Sequence, residues 1–292
     1  IEAGEALTTL EARIIEGGGS PLGGAKPKAL ITIDGVQWVI KFFNNEYVDS
    51  PLIEHATMTL AAKAGITVAQ TQVIALEGAN AVAVRRFDRD GDHRIHSISA
   101  GTALRAATPA GTEPEMGYPQ LALVLRRIGV SEGDANLADA RELFRRMVFN
   151  ILMDNTDDHE KNHALLVVNP TANGKLRLAP AYDVLPTNSG QGFQEFICGA
   201  DGYDSTLDNA MSQCESFGLS SAEAAEMVVQ VIDVVETWQA HFASVGVSPG
   251  DLQSLAERID DGELLSQRQN FRPQAYVGQA TKRKPISPFR RV

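Results

Sequence analysis

Cysteine is scarce: Cys198 and Cys214 are the two thiols in 292 residues. One disulfide is open to them, but in so long a chain two thiols are expected to stay reduced, and they are too few for a metal cage. Long apolar runs are missing as well. No stretch reaches the ~18 consecutive apolar residues of a membrane-crossing helix, and the first thirty residues lack the basic-then-apolar build of a secretory leader. The expectation is a cytoplasmic protein with no membrane partner. Basic residues are the minority, 26 against 37 acidic, giving a net charge of −11. Such a field repels a phosphate backbone and argues against direct nucleic-acid binding.

What the chain does have is apolar content, 43% of its residues. That is enough to bury a sizeable core, as one large domain or two intimately packed lobes. Charge is uneven: Lys282, Arg283, Lys284, Arg290 and Arg291 fall in the last twelve residues without an acid, leaving the rest at −16. This basic tail, within 271–292, reads as a solvated tail or a partner-binding arm. The sequence opens on Ile1 rather than Met, which leaves upstream residues open.

One octet concentrates chemistry: Asn155-Thr156-Asp157-Asp158-His159-Glu160-Lys161-Asn162. Asp157 and Asn162 stand five apart, and Asp183 follows in Pro180-Ala181-Tyr182-Asp183. Between them, the apolar runs 164–168 and 175–179 flank an Asn/Pro/Gly turn and predict a hairpin that returns Asp183 beside Asn162. An acid, an amide five residues on and a second acid is the set phosphoryl transfer requires. The first accepts a hydroxyl proton, and the other two hold Mg²⁺ through hard oxygen atoms. Alone, the octet reads equally as an Asn/Asp-rich turn with a helix cap.

Upstream features complete a possible nucleotide site. Residues 5–16 predict a short helix, followed by a glycine-rich loop with Gly23, Gly24, Ala25, Lys26 and Lys28, either a surface turn or a phosphate cradle. Asp34-Gly35 predicts a hairpin turn, and Lys41 lies on the strand after it, where kinases place a phosphate-binding ammonium. Ser50 and Pro51 are expected to open a helix carrying Glu54, which either complements the helix dipole or orients Lys41. Strands are expected at 68–76 and 81–84, leading to a hinge at Arg85–Phe87. Asp88 to Asp92 read as a polar turn, and His93, His96, Ser97 and Ser99 as structural rather than substrate-facing. A helix over 134–155 delivers the chain to Asp157, and helical patterns dominate 204–265.

Taken in order, Ser20, Gly23 to Lys28, Val39-Ile40-Lys41-Phe42, Arg86-Phe87-Asp88-Arg89, Asn150, the octet and Pro180-Ala181-Tyr182-Asp183 resemble the HipA-like toxin kinases over roughly residues 20–260. The resemblance implies an α+β, protein-kinase-like two-lobed fold with a small β-rich N-lobe and a mainly helical C-lobe. Its division would be 1–87 for the N-lobe, 88–270 for the C-lobe and 271–292 for the basic tail. It further implies a Mg²⁺- and ATP-dependent serine/threonine kinase of a toxin–antitoxin system. Asp157 becomes the base, Asn162 and Asp183 the Mg²⁺ ligands, and Gly23, Gly24, Ala25, Lys26, Lys28, Lys41, Arg85, Phe87, His159, Lys161 and Tyr182 the nucleotide contacts. Ser20 lies at the loop serine whose autophosphorylation silences family members. Expected partners are an aminoacyl-tRNA synthetase as acceptor, a helix-turn-helix antitoxin, and a separate protein supplying the family's amino-terminal subdomain, which this sequence lacks unless the chain is truncated. Three departures stand out: a longer Ser20 loop, Asp158 where glycine is frequent, and Arg85 in place of an acid. DFG and APE are also missing. Two other readings remain: a small-molecule kinase on the same scaffold, and a non-catalytic nucleotide-binding module.

Overall fold

The structure is a computed structural model describing residues 27–43, 46–168 and 174–277. The predicted helix at 5–16, Ser20, Gly23 to Lys26, and Lys282 to Arg291 lie outside them.

Strands β1 (Lys28–Ile33) and β2 (Val36–Phe42) form a hairpin closed at Asp34 and Gly35, both with positive φ, 50° and 78°. Two successive positive-φ residues match the twist of the flanking strands, which is why Asp-Gly signals this turn. With β3 (Thr71–Leu76) and β4 (Ala79–Arg85) they build an antiparallel sheet in the order β1-β2-β4-β3. One face buries Ile31, Trp38, Ile40, Ile74, Ala81 and Ala83 as its own small core. Because side chains alternate along a strand, Lys41 is turned to the opposite face from Trp38 and Ile40.

That opposite face receives helix α1 (Ser50–Lys63). The expected serine cap is corrected here: Asp49 is the N-cap, its carboxylate accepting from Leu52 N at 3.2 Å, and Ser50 is the first helical residue. Pro51 then falls in the first turn, where its missing N–H costs nothing. The predicted strand at 68–76 begins later, at Thr71. Val68 instead bridges Ala181, with Ala69 N donating to Ala181 O and Ala181 N to Thr67 O, both at 2.8 Å. These bonds tie the sheet lobe to the segment carrying Asp183.

The polar turn at 88–92 is a two-residue ladder, β5 (Arg89–Asp90) with β6 (His93–Arg94). Strand β7 (Ser97–Ser99) joins the predicted hairpin β8 (Ala164–Val168) and β9 (Lys175–Leu178) in a three-stranded sheet. Ser99 caps helix α2 (Ala100–Ala107) through Thr102 N, a structural use of that serine. Helices α3 (Tyr118–Ile128) and α4 (Ala135–Leu152) follow. Every residue of α4 from Arg146 to Leu152 is buried, so the second half of this helix is enclosed on all sides at the centre of the large core. Helices α5 (Leu207–Ser212), α6 (Ser221–Val235), α7 (Trp238–Val245), α8 (Pro249–Ile259) and α9 (Gly262–Asn270) complete the helical lobe. At α6, Ser220 and Glu223 satisfy each other's backbone N–H groups in a capping box. The main core runs from α1 through α3, α4 and α6, so α1, inserted between β2 and β3 in sequence, joins the sheet to the helices. Among the described residues no helix is long and apolar enough to cross a membrane.

Candidate active site

A cleft of about 1330 Å³ lies between the two lobes. Its lining gathers Lys28 and Lys41 from the sheet, Asp157, His159, Lys161 and Asn162 from the loop after α4, and Tyr182 and Asp183 from the loop after β9. Residues far apart in sequence therefore meet at one surface, as the hairpin reading requires.

Lys41 is the hub. Its Nζ lies 2.6 Å from Glu54 Oε1 and 2.5 Å from Asp183 Oδ1, with Glu54 fully buried. Glu54 thus pairs with Lys41 rather than serving the helix dipole. Burial opposes charge on Lys41, yet the two carboxylates outweigh it and raise its pKa. For Glu54 burial wins over the attraction of Lys41, and its carboxyl titrates above the usual range. Burial also pushes Asp183 up, but the Lys41 ammonium and its hydrogen bond hold that carboxyl below the usual range, so it stays ionised. Asp183 adopts φ 59°, a left-handed conformation stored as local strain, and 29% of its side chain is exposed to the cleft.

The loop after α4 presents Asp157 outward, its side chain 66% exposed and within 3.9 Å of His159 Nε2. Asn162 donates from Nδ2 to Asp157 O at 2.8 Å, and its backbone N donates to His159 O at 2.9 Å. With the amide nitrogen engaged, the Asn162 oxygen is the atom of that side chain that could meet a cation. Tyr182 Oη donates to Lys161 O at 2.6 Å, fastening the Asp183 loop to the Asn162 loop. Its ring tilts on Phe87 with centroids 5.4 Å apart. Phe87 stands outside the cleft lining, as does Arg85, whose side chain reaches Gln70 Oε1 at 3.3 Å while its backbone N donates to Gln70 O.

Asn162 and Asp183 fit a small hard cation. One ionised carboxylate and one amide oxygen are the donor types Mg²⁺ takes, with phosphate oxygens and water completing its shell. Among the described residues no group of three or more His, Cys, Asp and Glu could hold a metal without such help.

Several lining residues carry no signal that the sequence reading used. Asn155, Pro186, Thr187, Asn188 and Ser254 form the far wall of the cleft, with Glu46 and Tyr47 at its mouth. Thr187 Oγ1 bonds Thr156 Oγ1 at 2.6 Å and donates to Asp154 O at 2.8 Å, bracing that wall against the octet. The octet's Asp–Asn spacing was the available clue to Asn155. No periodicity marks 185–188.

Similar proteins fall in one group. Y4dM of Sinorhizobium fredii, named for an inferred kinase activity, is 28% identical over 248 residues, 78% of this chain and 56% of the relative. A Haemophilus influenzae protein named in the same way is 26% identical over 185 residues, 56% of this chain and 52% of its own. The chain spans about half the length of these curated relatives. Among solved structures, Shewanella oneidensis HipA, from a toxin–antitoxin complex with HipB and operator DNA, superposes with a TM-score of 0.64 at 16% identity, over 88% of this chain and 66% of that one. The Helicobacter pylori proinflammatory kinase CtkA gives 0.64 at 11% identity, over 88% and 94%. At these identities the likeness is one of fold, a small antiparallel sheet lobe set against a helical one. The sequence itself carries the rest: the family described as HipA-like C-terminal domain matches residues 20–238, three-quarters of the chain and every described cleft residue up to Asn188, so the chain belongs to that family.

Proposed function

We propose that this chain transfers the γ-phosphoryl group of ATP to a serine or threonine hydroxyl of a protein. The observation that carries this reading is the convergence of Lys41, Glu54 and Asp183 within 2.6 Å contacts at the floor of the cleft that Asp157 and Asn162 line. A solvated turn has no use for a fully buried carboxylate aimed at a strand lysine.

Each residue has a part. Lys41, its ammonium fixed by Glu54, grips the phosphates of ATP. Asp157, exposed and free of a strong ion pair, takes the proton of the acceptor hydroxyl as its oxygen bonds the γ-phosphorus and the bond to the β-phosphate oxygen breaks, releasing ADP. Asn162 and Asp183 would hold Mg²⁺, which when bound neutralises the phosphate charge. Lys28, Lys161 and His159 add positive or hydrogen-bonding groups along the same wall.

The kinase names of the Sinorhizobium and Haemophilus relatives, and a fold shared with the kinase CtkA, support phosphotransfer. By the same resemblance the acceptor is an aminoacyl-tRNA synthetase, Ser20 a site of autophosphorylation, and the partners a helix-turn-helix antitoxin and a protein supplying the amino-terminal subdomain. A dianion at Ser20 would compete for the lysines meant for ATP.

The test is incubation of the purified chain with γ-labelled ATP and Mg²⁺, alone and with a synthetase fraction. Label on serine or threonine of either protein, lost in Asp157→Ala, is the expected result. Label on a small alcohol alone would move the assignment to a metabolite kinase, and ATP binding without transfer to any acceptor would leave a nucleotide-binding module.

A further inference from the structure

The octet and the residue after it carry a second pair beneath the first. Asp158 follows Asp157, and His163 follows Asn162; each is buried, 2% and 3% exposed, on the side of the loop away from the cleft. His163 Nε2 lies 2.9 Å from Asp158 Oδ1, a close polar approach outside hydrogen-bond geometry, and His163 Nδ1 is buried with no hydrogen-bond partner among the described residues. The imidazole stacks on Phe196 at 5.3 Å and meets the edge of Tyr118 at 5.0 Å. Tyr118 in turn accepts from Asn150 of α4 at 3.0 Å, and Asn155 donates to Asn150 Oδ1 at 3.2 Å. The histidine is therefore held by aromatic rings that belong to the rigid core.

The spacing has a consequence for the cleft. Asp157 and Asn162 are bridged above by the 2.8 Å bond from Asn162 Nδ2 to Asp157 O, and the side chains of their immediate neighbours approach to 2.9 Å below. The six residues from Asp157 to Asn162, bonded across one face and in close contact across the other, have little freedom to change the separation of the terminal two. A loop of this length without regular structure has no helical or strand ladder to do that work. The cavity next to the pair is only about 10 Å³, so neither side chain has room to move elsewhere.

Resting on the kinase reading, we propose that Asp158 and His163 are positioning residues: their buried carboxylate–imidazole contact fixes the distance between the base Asp157 and the metal amide Asn162, without touching nucleotide or acceptor. The residue at 158 is thus part of the catalytic apparatus rather than a tolerated variation in the motif.

The test uses the full chain with Asp158→Asn, His163→Gln and the double variant. Misplacing a reacting group by an ångström costs up to about 100-fold in rate, so each single change is expected to lower kcat roughly 10- to 100-fold while KM for ATP stays within about threefold. The Mg²⁺ concentration for half-maximal rate should rise, and the double variant should be no worse than the worse single one. In hydrogen exchange, amides of 155–163 should lose protection while those of α4 and α6 keep theirs. Unchanged kcat in both singles, additive losses in the double, or general loss of protection and insolubility in both singles would overturn the proposal, the last because the pair would then serve the core and not the loop. If the wild-type chain transfers no phosphate, the kinase reading fails; local deprotection of 155–163 then still decides whether the pair holds the loop.

Discussion

Lys41 and Asp183, 142 positions apart in sequence, meet with Nζ 2.5 Å from Oδ1. One residue comes from the second strand of the sheet lobe and the other from a loop of the helical lobe, so a single ion pair spans the cleft floor. Glu54 at 2.6 Å completes a set of two carboxylates around one ammonium. The pair thus couples lobe position to the charge state of Asp183, whose carboxyl the ammonium keeps ionised.

Replacing Lys41 with methionine removes the cation and leaves Glu54 buried without a partner. Losing one member of a buried pair costs about 3–5 kcal/mol, and phosphotransfer should be lost with it. The pH dependence has a defined sign. Glu54 already titrates above its ordinary value because of burial, and without Lys41 it rises further. Between the unfolded value and this raised one, the folded variant keeps a proton that the unfolded chain has released, so stability falls as pH rises. The gap in Tm between wild type and Lys41→Met should widen as pH rises above the unfolded carboxylate value of about 4.3. A gap that is constant across this range would contradict the assignment of Glu54 as the partner.

Asp157 predicts the opposite separation of stability and rate. Its side chain is 66% exposed and has only a 3.9 Å approach from His159, so little holds it structurally. Asp157→Asn should change stability by less than about 0.5 kcal/mol, leave ATP binding intact and lower transfer roughly 10²- to 10⁴-fold. Calorimetry and single-turnover kinetics on the same preparation check both halves.

These two residues also show what could be read without coordinates. Asp157 and Asn162 were legible because their spacing is local, and Lys41 because strand alternation places it opposite Trp38 and Ile40. Asp183 was legible through a hairpin whose turn residues are explicit. The cap of α1 was misplaced by one residue because Asp49 and Ser50 are comparable caps; only the backbone decides which is helical. Orientation inside the octet was not legible, since a loop has no period to say that Asp158 points inward while Asp157 points out. The wall at 185–188 was hidden for the same reason. At the hinge the expected contact is through the backbone of Arg85 to Phe87, and their side chains are engaged with Gln70 and Tyr182.

Arg146 sits in α4 with no motif or spacing in the sequence to mark its role. It is 3% exposed, pairs with Glu142, and donates to Ala179 O at 2.8 Å, just ahead of the Asp183 loop. Burial lowers its pKa, with Glu142 acting against that. Arg146→Met should destabilise the fold by about 3 kcal/mol, since a buried carbonyl and a partly buried carboxylate lose their donor. Denaturant unfolding would show it as a lower midpoint at unchanged slope. A loss of activity with unaltered stability would place Arg146 in the chemistry instead.

Tyr182 allows the two loops of the site to be separated experimentally. Its hydroxyl donates to Lys161 O at 2.6 Å, and its ring rests on Phe87. Burial is the main reason its pKa is raised, with the Asp183 charge adding to it, so the phenol stays protonated and remains a donor. Tyr182→Phe removes the hydrogen bond and keeps the ring, at a cost of about 1 kcal/mol. If the bond holds Asn162 and Asp183 at the separation Mg²⁺ needs, the half-saturating Mg²⁺ concentration should rise severalfold while KM for the acceptor stays constant. Tyr182→Ala also removes the aromatic contact, so Tm should fall further without a further change in Mg²⁺ dependence. Equal Mg²⁺ dependence in wild type and Tyr182→Phe would mean that the two loops keep their spacing without this bond, and the backbone pairing of Ala181 with Thr67 and Ala69 would then be the clasp.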